Sequence, residues 1–230
     1  DPFYAIRKLA LDRYQFIENA SSTVKQDIIE IAKNDPKSSV RRSALKRLRV
    51  INDEASWDVI KSAFNDDSYL TGANALELYI DHDMETAVSQ AKKWEKEKNG
   101  SIKMAVAEVY AATGDQKYLE YFSNMLTELS TNQKYSFMRR YGTFVSKLEP
   151  VDMVVGIDQL TTLALEEDIW WMRYAAMQAL QKVEKSVNKK LKNKVYSDLQ
   201  DVSDLISKNI SLIKEKETNP RLISIYSDKE

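Results

Sequence analysis

One short pattern recurs along this chain at near-constant spacing, and it constrains the fold more than any other feature. It reads acid, an apolar residue five positions on, a basic residue next, and a small residue three further. The clearest copy is Asp35, Val40, Arg41 and Ala44. Asp1, Ile6, Arg7 and Ala10 repeat it at the start, and Glu167, Met172, Arg173 and Ala176 repeat it late in the chain. Looser copies lie between: Asp66, Thr71, Gly72 and Ala75; Glu97, Ile102, Lys103 and Val106; Gln133, Met138, Arg139 and Gly142. The second positions, 6, 40, 71, 102, 138 and 172, are separated by 34, 31, 31, 36 and 34 residues. A fixed period of this size is the signature of stacked supersecondary units, each too small to bury its apolar face alone.

Each period has room for two helices. The first carries the pattern, with its apolar residue in the core and its small residue allowing a neighbouring helix to approach closely. The second is amphipathic at helical spacing. Val24, Ile28, Ile31 and Ala32 form one such stripe, and Met84, Ala87, Val88, Ala91 and Trp94 another. Leu119, Phe122, Leu126 and Leu129, then Met153, Ile157, Leu160 and Ala164, form two more. Pro36 and Pro150 suit helix starts, and Gly100 and Gly114 suit helix ends. Asn34–Asp35, Asn65–Asp67 and Ser130–Asn132 read as turns or N-caps.

Composition closes off the alternatives. With 5 Gly and 4 Pro in 230 residues, the chain lacks the turn chemistry of a β-sandwich or barrel. It also lacks the Val- and Ile-rich buried strands of an α/β fold. The expected class is all-α: about six helix pairs over 1–187, then a separate C-terminal region over 188–230. In that region Leu191, Val195, Leu199, Val202, Ile206, Ile210 and Ile213 make one apolar seam. This predicts a single long helix over about 188–217, roughly 40 Å at 1.5 Å per residue, capping the last pair.

Charge and reactive residues bound the function. A net charge of −1 supplies no global field for nucleic acid or anionic membrane. No apolar run is long enough to cross a bilayer. The expected partners therefore include neither nucleic acid nor membrane. Cysteine is absent, which excludes disulfides and thiolate sites and leaves the compartment undetermined. His82 is the only histidine, so a His-Glu-x-x-His zinc site cannot form within the chain. It lies in Ile80-Asp81-His82-Asp83, read as a solvated turn. Phosphate-binding glycine loops and the Gly-x-Ser-x-Gly elbow are also missing. The chain is expected to hold no catalytic, cofactor-binding or metal-binding residue. With no initiator Met before Asp1-Pro2-Phe3 and no signal peptide, it reads as a piece of something longer.

Two features invite a site reading. The arginines of the pattern, Arg7, Arg41, Arg139 and Arg173, could line a ligand. The simpler expectation is a structural ladder of pairs with turn acids such as Asp1, Asp35 and Glu167. Trp170 and Trp171, with Arg173, form a candidate interface. On a helix the two rings point about 100° apart, so one can be core while the other reaches a groove or a neighbouring domain. Basic clusters at Lys37, Arg41, Arg42, Lys46, Arg47 and Arg49, and at Lys182–Lys194, are balanced by acids elsewhere and read as solvated faces.

The pattern of Asp, then Val-Arg, then Ala resembles the HEAT repeat family, which implies an α-solenoid. Three further segments resemble the C-terminal HEAT-like region of bacterial aminopeptidases of the aminopeptidase N type. They are Asp1-Pro2-Phe3-Tyr4-Ala5-Ile6-Arg7, Val109-Tyr110-Ala111-Ala112-Thr113-Gly114-Asp115 with Tyr121-Phe122, and Ile213-Lys214-Glu215 with Asn219-Pro220-Arg221-Leu222 and Ile225-Tyr226. This resemblance implies a non-catalytic helical cap on a peptidase domain of the same polypeptide. The cap would touch peptide substrate only indirectly. It also implies zinc in that other domain, none being expected in this chain. The family's zinc ligands, catalytic glutamate and Gly-x-Met-Glu-Asn loop are absent here. A free-standing scaffold for protein interaction and a HEAT-like DNA glycosylase are the alternatives.

Overall fold

The computed structural model describes residues 3–14, 20–192 and 198–227. Among these residues every regular element is helical, and there is no strand. Thirteen α-helices occur among the described residues, and they fall into two compact units, Asp1–Val109 and Tyr110–Glu230.

The first unit contains α1 (Tyr4–Arg13), α2 (Ser22–Asn34), α3 (Ser38–Ile51), α4 (Glu54–Ser62), α5 (Tyr69–Tyr79), α6 (Met84–Trp94) and most of α7 (Gly100–Thr113). The pattern-bearing helices pack on one another in series, α1 on α3 and α3 on α5. The intervening helices α2 and α4 pack on α3, and α4 also packs on α5. Val40, Ala44, Leu45 and Leu48 place one face of α3 in the core, against Ile60 of α4 and Ala75 and Leu76 of α5 among its neighbours. The helix starts are written locally. Ser21, Asp53 and Asp83 accept hydrogen bonds from the backbone N–H three residues on, satisfying donors that the helix itself cannot. Asn52 ends α3 in the left-handed region at φ 60°. Pro36 lies just outside α3, since Lys37 is its N-cap.

The second unit contains the end of α7, α8 (Leu119–Glu128), α9 (Thr131–Val145), α10 (Pro150–Glu166), α11 (Trp170–Lys192), α12 (Leu199–Lys216) and α13 (Pro220–Ser227). Pattern helices α9 and α11 pack side by side, with α10 against both. Gly142 explains the close approach of α9 to α11. A Cβ there would lie 2.9 Å from the carbonyl oxygen of Ala179 and 3.0 Å from its Cα. α9 opens with a capping box in which the Gln133 side chain accepts from the Ser130 backbone N–H at 3.1 Å. Pro150 occupies the first turn of α10, and Gly114 follows α7 at φ 64°.

Five of the six apolar or Thr positions of the pattern are buried: Val40, Thr71, Ile102, Met138 and Met172. Ile6 departs from expectation and is 52% exposed. α1 packs on α3 and buries only Leu11 among its own residues, leaving Phe3, Tyr4, Ile6 and Leu9 uncovered.

The single helix expected over 188–217 is also corrected. Residues 188–192 are the last turn of α11, and the rest of the described seam belongs to α12. α12 packs on both α10 and α11, burying Leu199, Val202, Ile206 and Ile213. α11 and α12 packed on each other and on α10 bury that apolar face. Val195 lies outside the described residues. Position 187/188 falls inside α11, and the two compact units divide within α7.

Candidate functional site

Three of the four pattern arginines form the same clamp. Arg7 donates from Nε to Asp35 Oδ2 at 2.6 Å and from Nη2 to Oδ1 at 3.0 Å. Arg41 donates to Asp66 in the same fork, at 2.7 and 2.6 Å. Arg173 donates to Glu217, at 3.0 and 2.7 Å. Arg41 and Arg173 use a further N–H on a backbone carbonyl six residues back, Asp35 at 2.7 Å and Glu167 at 2.8 Å. Each acid also holds its own loop. Asp35 accepts from the N–H of Lys37, Asp66 from Ser68 and Glu217 from Asn219, each at 2.8 Å. One carboxylate thus organises a helix start and receives the guanidinium of an earlier pattern helix. The planar fork of arginine fits this bidentate geometry, which a lysine could not reproduce.

The electrostatics follow. The Arg7 guanidinium holds the Asp35 carboxyl below the usual range, against the opposing effect of burial. Burial pushes Asp66 and Glu217 upward, but Arg41 with the Ser68 N–H, and Arg173 with the Asn219 and Thr218 N–H groups, together leave both carboxyls net lowered. The three arginines are raised in turn by their acids.

The pairing differs in detail from the sequence reading. Asp35 takes Arg7, the arginine one copy earlier, and gives Arg41 only its backbone carbonyl. Glu167 meets Lys134 at 3.7 Å, while its carbonyl takes Arg173. Asp1 lies outside the described residues. Asp66 and Glu217 were missed as clamp acids. Asp66 leads the third copy of the pattern and could have been found by stepping one period forward. Glu217 belongs to no copy, and its only local signal is the helix start at Asn219-Pro220.

Arg139 is used differently. It is exposed and lines a groove of about 390 Å³ between α9 and α11. Arg140, Lys182, Gln178 and Tyr135 stand around it, over Met138, Ala175 and Ala179. The Arg140 guanidinium reaches back to the Ser136 carbonyl at 3.2 Å, and the Lys182 ammonium reaches Thr143 Oγ1.

Trp170 and Trp171 are both half-buried. Trp170 carries the Arg221 guanidinium of α13 over its ring at 5.5 Å. Trp171 meets Tyr135 edge-on at 5.5 Å between centroids, at the rim of the groove. Arg173 is held in its clamp and does not join them. His82 is exposed on its turn, yet it stacks on Trp57 at 4.3 Å and 7° and meets Tyr79 edge-on. The sequence carried no signal for that packing, because Trp57 lies on α4, 25 residues earlier.

Among the described residues no three His, Cys, Asp or Glu side chains converge as metal ligands would. No described helix is long and apolar enough to cross a membrane. Clamps and groove together define an all-helical protein whose distinctive chemistry is charge pairing between helices. No protein-family model matches the chain, and no curated protein matches it significantly.

Proposed function

We propose that this chain is a HEAT-like α-solenoid of about six helix pairs. It serves, without a catalytic centre of its own, as the C-terminal helical region of a zinc aminopeptidase. In that role it lies against the peptidase domain of the same polypeptide and narrows the path by which peptides reach the active site. The observation that carries the repeat reading is the recurring clamp, in which an arginine of one pattern helix grips the acid that opens a later element. Stacked repeats need such links, because each unit is stabilised through its neighbours. The peptidase reading rests on the three segments that resemble the aminopeptidase N type. With one histidine in the chain, this reading assigns the zinc to the peptidase domain, and no step of hydrolysis is assigned to residues here.

The decisive experiment joins sequence and assay. The reading frame upstream of Asp1 is expected to encode His-Glu-x-x-His. The purified chain, supplied with zinc, is expected to leave an aminoacyl reporter intact. Hydrolysis persisting in rigorously purified chain would remove the non-catalytic reading. A frame without the zinc motif would leave the free-standing scaffold, which the exposed groove between α9 and α11 also favours. The DNA glycosylase reading has no comparable support, given a net charge of −1.

A further inference from the structure

The face that seals a pattern helix into the core is open at α1. That face holds the apolar position of the pattern and the residues one and two turns further on. In α3 these are Val40, Ala44 and Leu48, and in α11 Met172, Ala176 and Leu180, all without solvent exposure. At α1 they are Ile6, Ala10 and the C-cap residue Tyr14. Ile6 is 52% exposed, Ala10 is exposed and Tyr14 is half-buried. A groove of about 380 Å³ follows this face, lined on α2 by Val24 and Ile31 among others.

Elsewhere a preceding helix lies in the corresponding place. α2 packs on α3 and on α4, and α10 packs on α11 and on α12. In both cases a helix that comes before a pattern helix lies against it and against the helix after it. The groove beside α1 is walled in the same way, by the pattern helix and the helix that follows it. Two polar groups add a preference of sign. Exposed Asp27 lines the groove, and so does Arg47 of α3. The Arg47 Nε is buried without a hydrogen-bond partner among the described residues, which is destabilising until an acceptor arrives.

We propose that this groove is filled by an amphipathic helix encoded by the same polypeptide immediately before Asp1. Its length matches α2 and α10, 13 and 17 residues. Its apolar stripe lies along Ile6, Ala10 and Val24. A carboxylate or amide oxygen on its flank accepts from Arg47 Nε, and a basic residue meets Asp27. The connection is short, as Asp35, Pro36 and Lys37 suffice to join α2 to α3. The proposal rests on the stacked-repeat reading above and is independent of the peptidase assignment.

Cysteine is absent from the chain, so one introduced thiol reports on the groove. Ala10→Cys is prepared in the 230-residue chain and in a form extended upstream along the natural reading frame by about 40 residues, roughly one repeat. Maleimide labelling at that residue is followed by mass spectrometry against the urea-unfolded protein. In the 230-residue chain the thiol is expected to label within about tenfold of the unfolded rate, and in the extended form at least about a hundredfold more slowly. Should Ala10→Cys fail to fold, Val24→Cys on the other wall replaces it. Ile6→Asp adds a second measurement. It should shift the melting temperature by no more than about 2 °C in the shorter form and lower it by about 8 °C or more in the extended form, where the carboxylate is covered. Equal labelling of the two forms overturns the proposal. So does protection in the shorter form with sedimentation as a dimer, which makes the occupant a second copy. Protection that appears only in the full-length polypeptide overturns it as well, by assigning the groove to a remote domain. An upstream frame without His-Glu-x-x-His would remove the peptidase reading and leave this one standing.

Discussion

Arg41 on α3 and Arg139 on α9 occupy the same place in the repeated pattern, yet the molecule uses them in opposite ways. Arg41 is drawn into the gap before α5 and closed there by Asp66, with side-chain exposures of 13% and 10%. Arg139 stays exposed, and beside it the space between α9 and α11 remains a cationic groove. Glu167, the acid one copy after Arg139, is occupied with Lys134. A repeated sequence position thus determines where a charge sits on its helix, and the neighbouring loop decides whether it closes into the bidentate clamp or stays exposed. The Arg173 clamp makes the same point from the other side. It reproduces the geometry of Arg41 with an acid 44 residues away, on a segment outside the pattern.

The largest effect expected is at Val40, which is fully buried and directly precedes Arg41 on α3. Val40→Asp places a carboxylate among Ala44, Leu45 and other core side chains, at a cost of several kcal/mol, about 4 or more. Hydrogen exchange should show protection lost across α2 to α5. A variant with a wild-type melting temperature would mean that the register of the pattern is wrong.

The comparison itself is tested by a pair. Arg41→Ala leaves Asp66 largely buried without its guanidinium and should cost about 2–4 kcal/mol. Arg139→Ala removes an exposed side chain and should change stability by no more than about 0.5 kcal/mol. Urea unfolding of both variants measures the difference. Equal losses would erase the distinction between staple and surface.

Acid should sharpen it further. The carboxyls of Asp35, Asp66 and Glu217 all sit below their ordinary range in the folded chain. A depressed folded value contributes stability that is complete above the unfolded value, about 4, and is lost as pH falls through the folded one. The melting temperature should therefore hold level from about pH 8 to pH 5 and fall below about pH 4. Arg41→Ala should blunt that fall, since Asp66 no longer has its partner to lose. A profile insensitive to Arg41→Ala would show that the acid loss arises outside the clamps.

The smallest effect is at His82. Its exposure alone would make His82→Ala silent, but the stack on Trp57 adds contact worth about 0.5–1 kcal/mol. A loss of that size, accompanied by a change in tryptophan emission, is expected in thermal unfolding. A shift in emission without any stability loss would make the stack incidental.

Much of the helical organisation was legible from the residues. The buried positions Val40, Thr71, Ile102, Met138 and Met172 follow from the 31–36-residue period. Ser130, Pro150 and Gly114 announce their helix ends through local chemistry that acts within a few residues. The seam of 188–217 was legible as apolar but not as two elements. Period alone cannot tell one long helix from the end of one and the whole of the next when both keep the same face. The groove was not legible either. Its cations come from α9 and α11 and are spread over 139–182, so no window of sequence brings them together.

Spacing of apolar residues, caps and the pattern arginines were determined by the sequence itself, because helix formation and capping depend on residues three or four positions apart. Tertiary structure decided which acid each arginine meets, whether Trp170 and Trp171 are buried, and where the cations of α9 and α11 converge. Those outcomes depend on how closely two helices approach. Gly142 sets that approach between α9 and α11 by the absence of one carbon, through contact with Ala179, a residue 37 positions away.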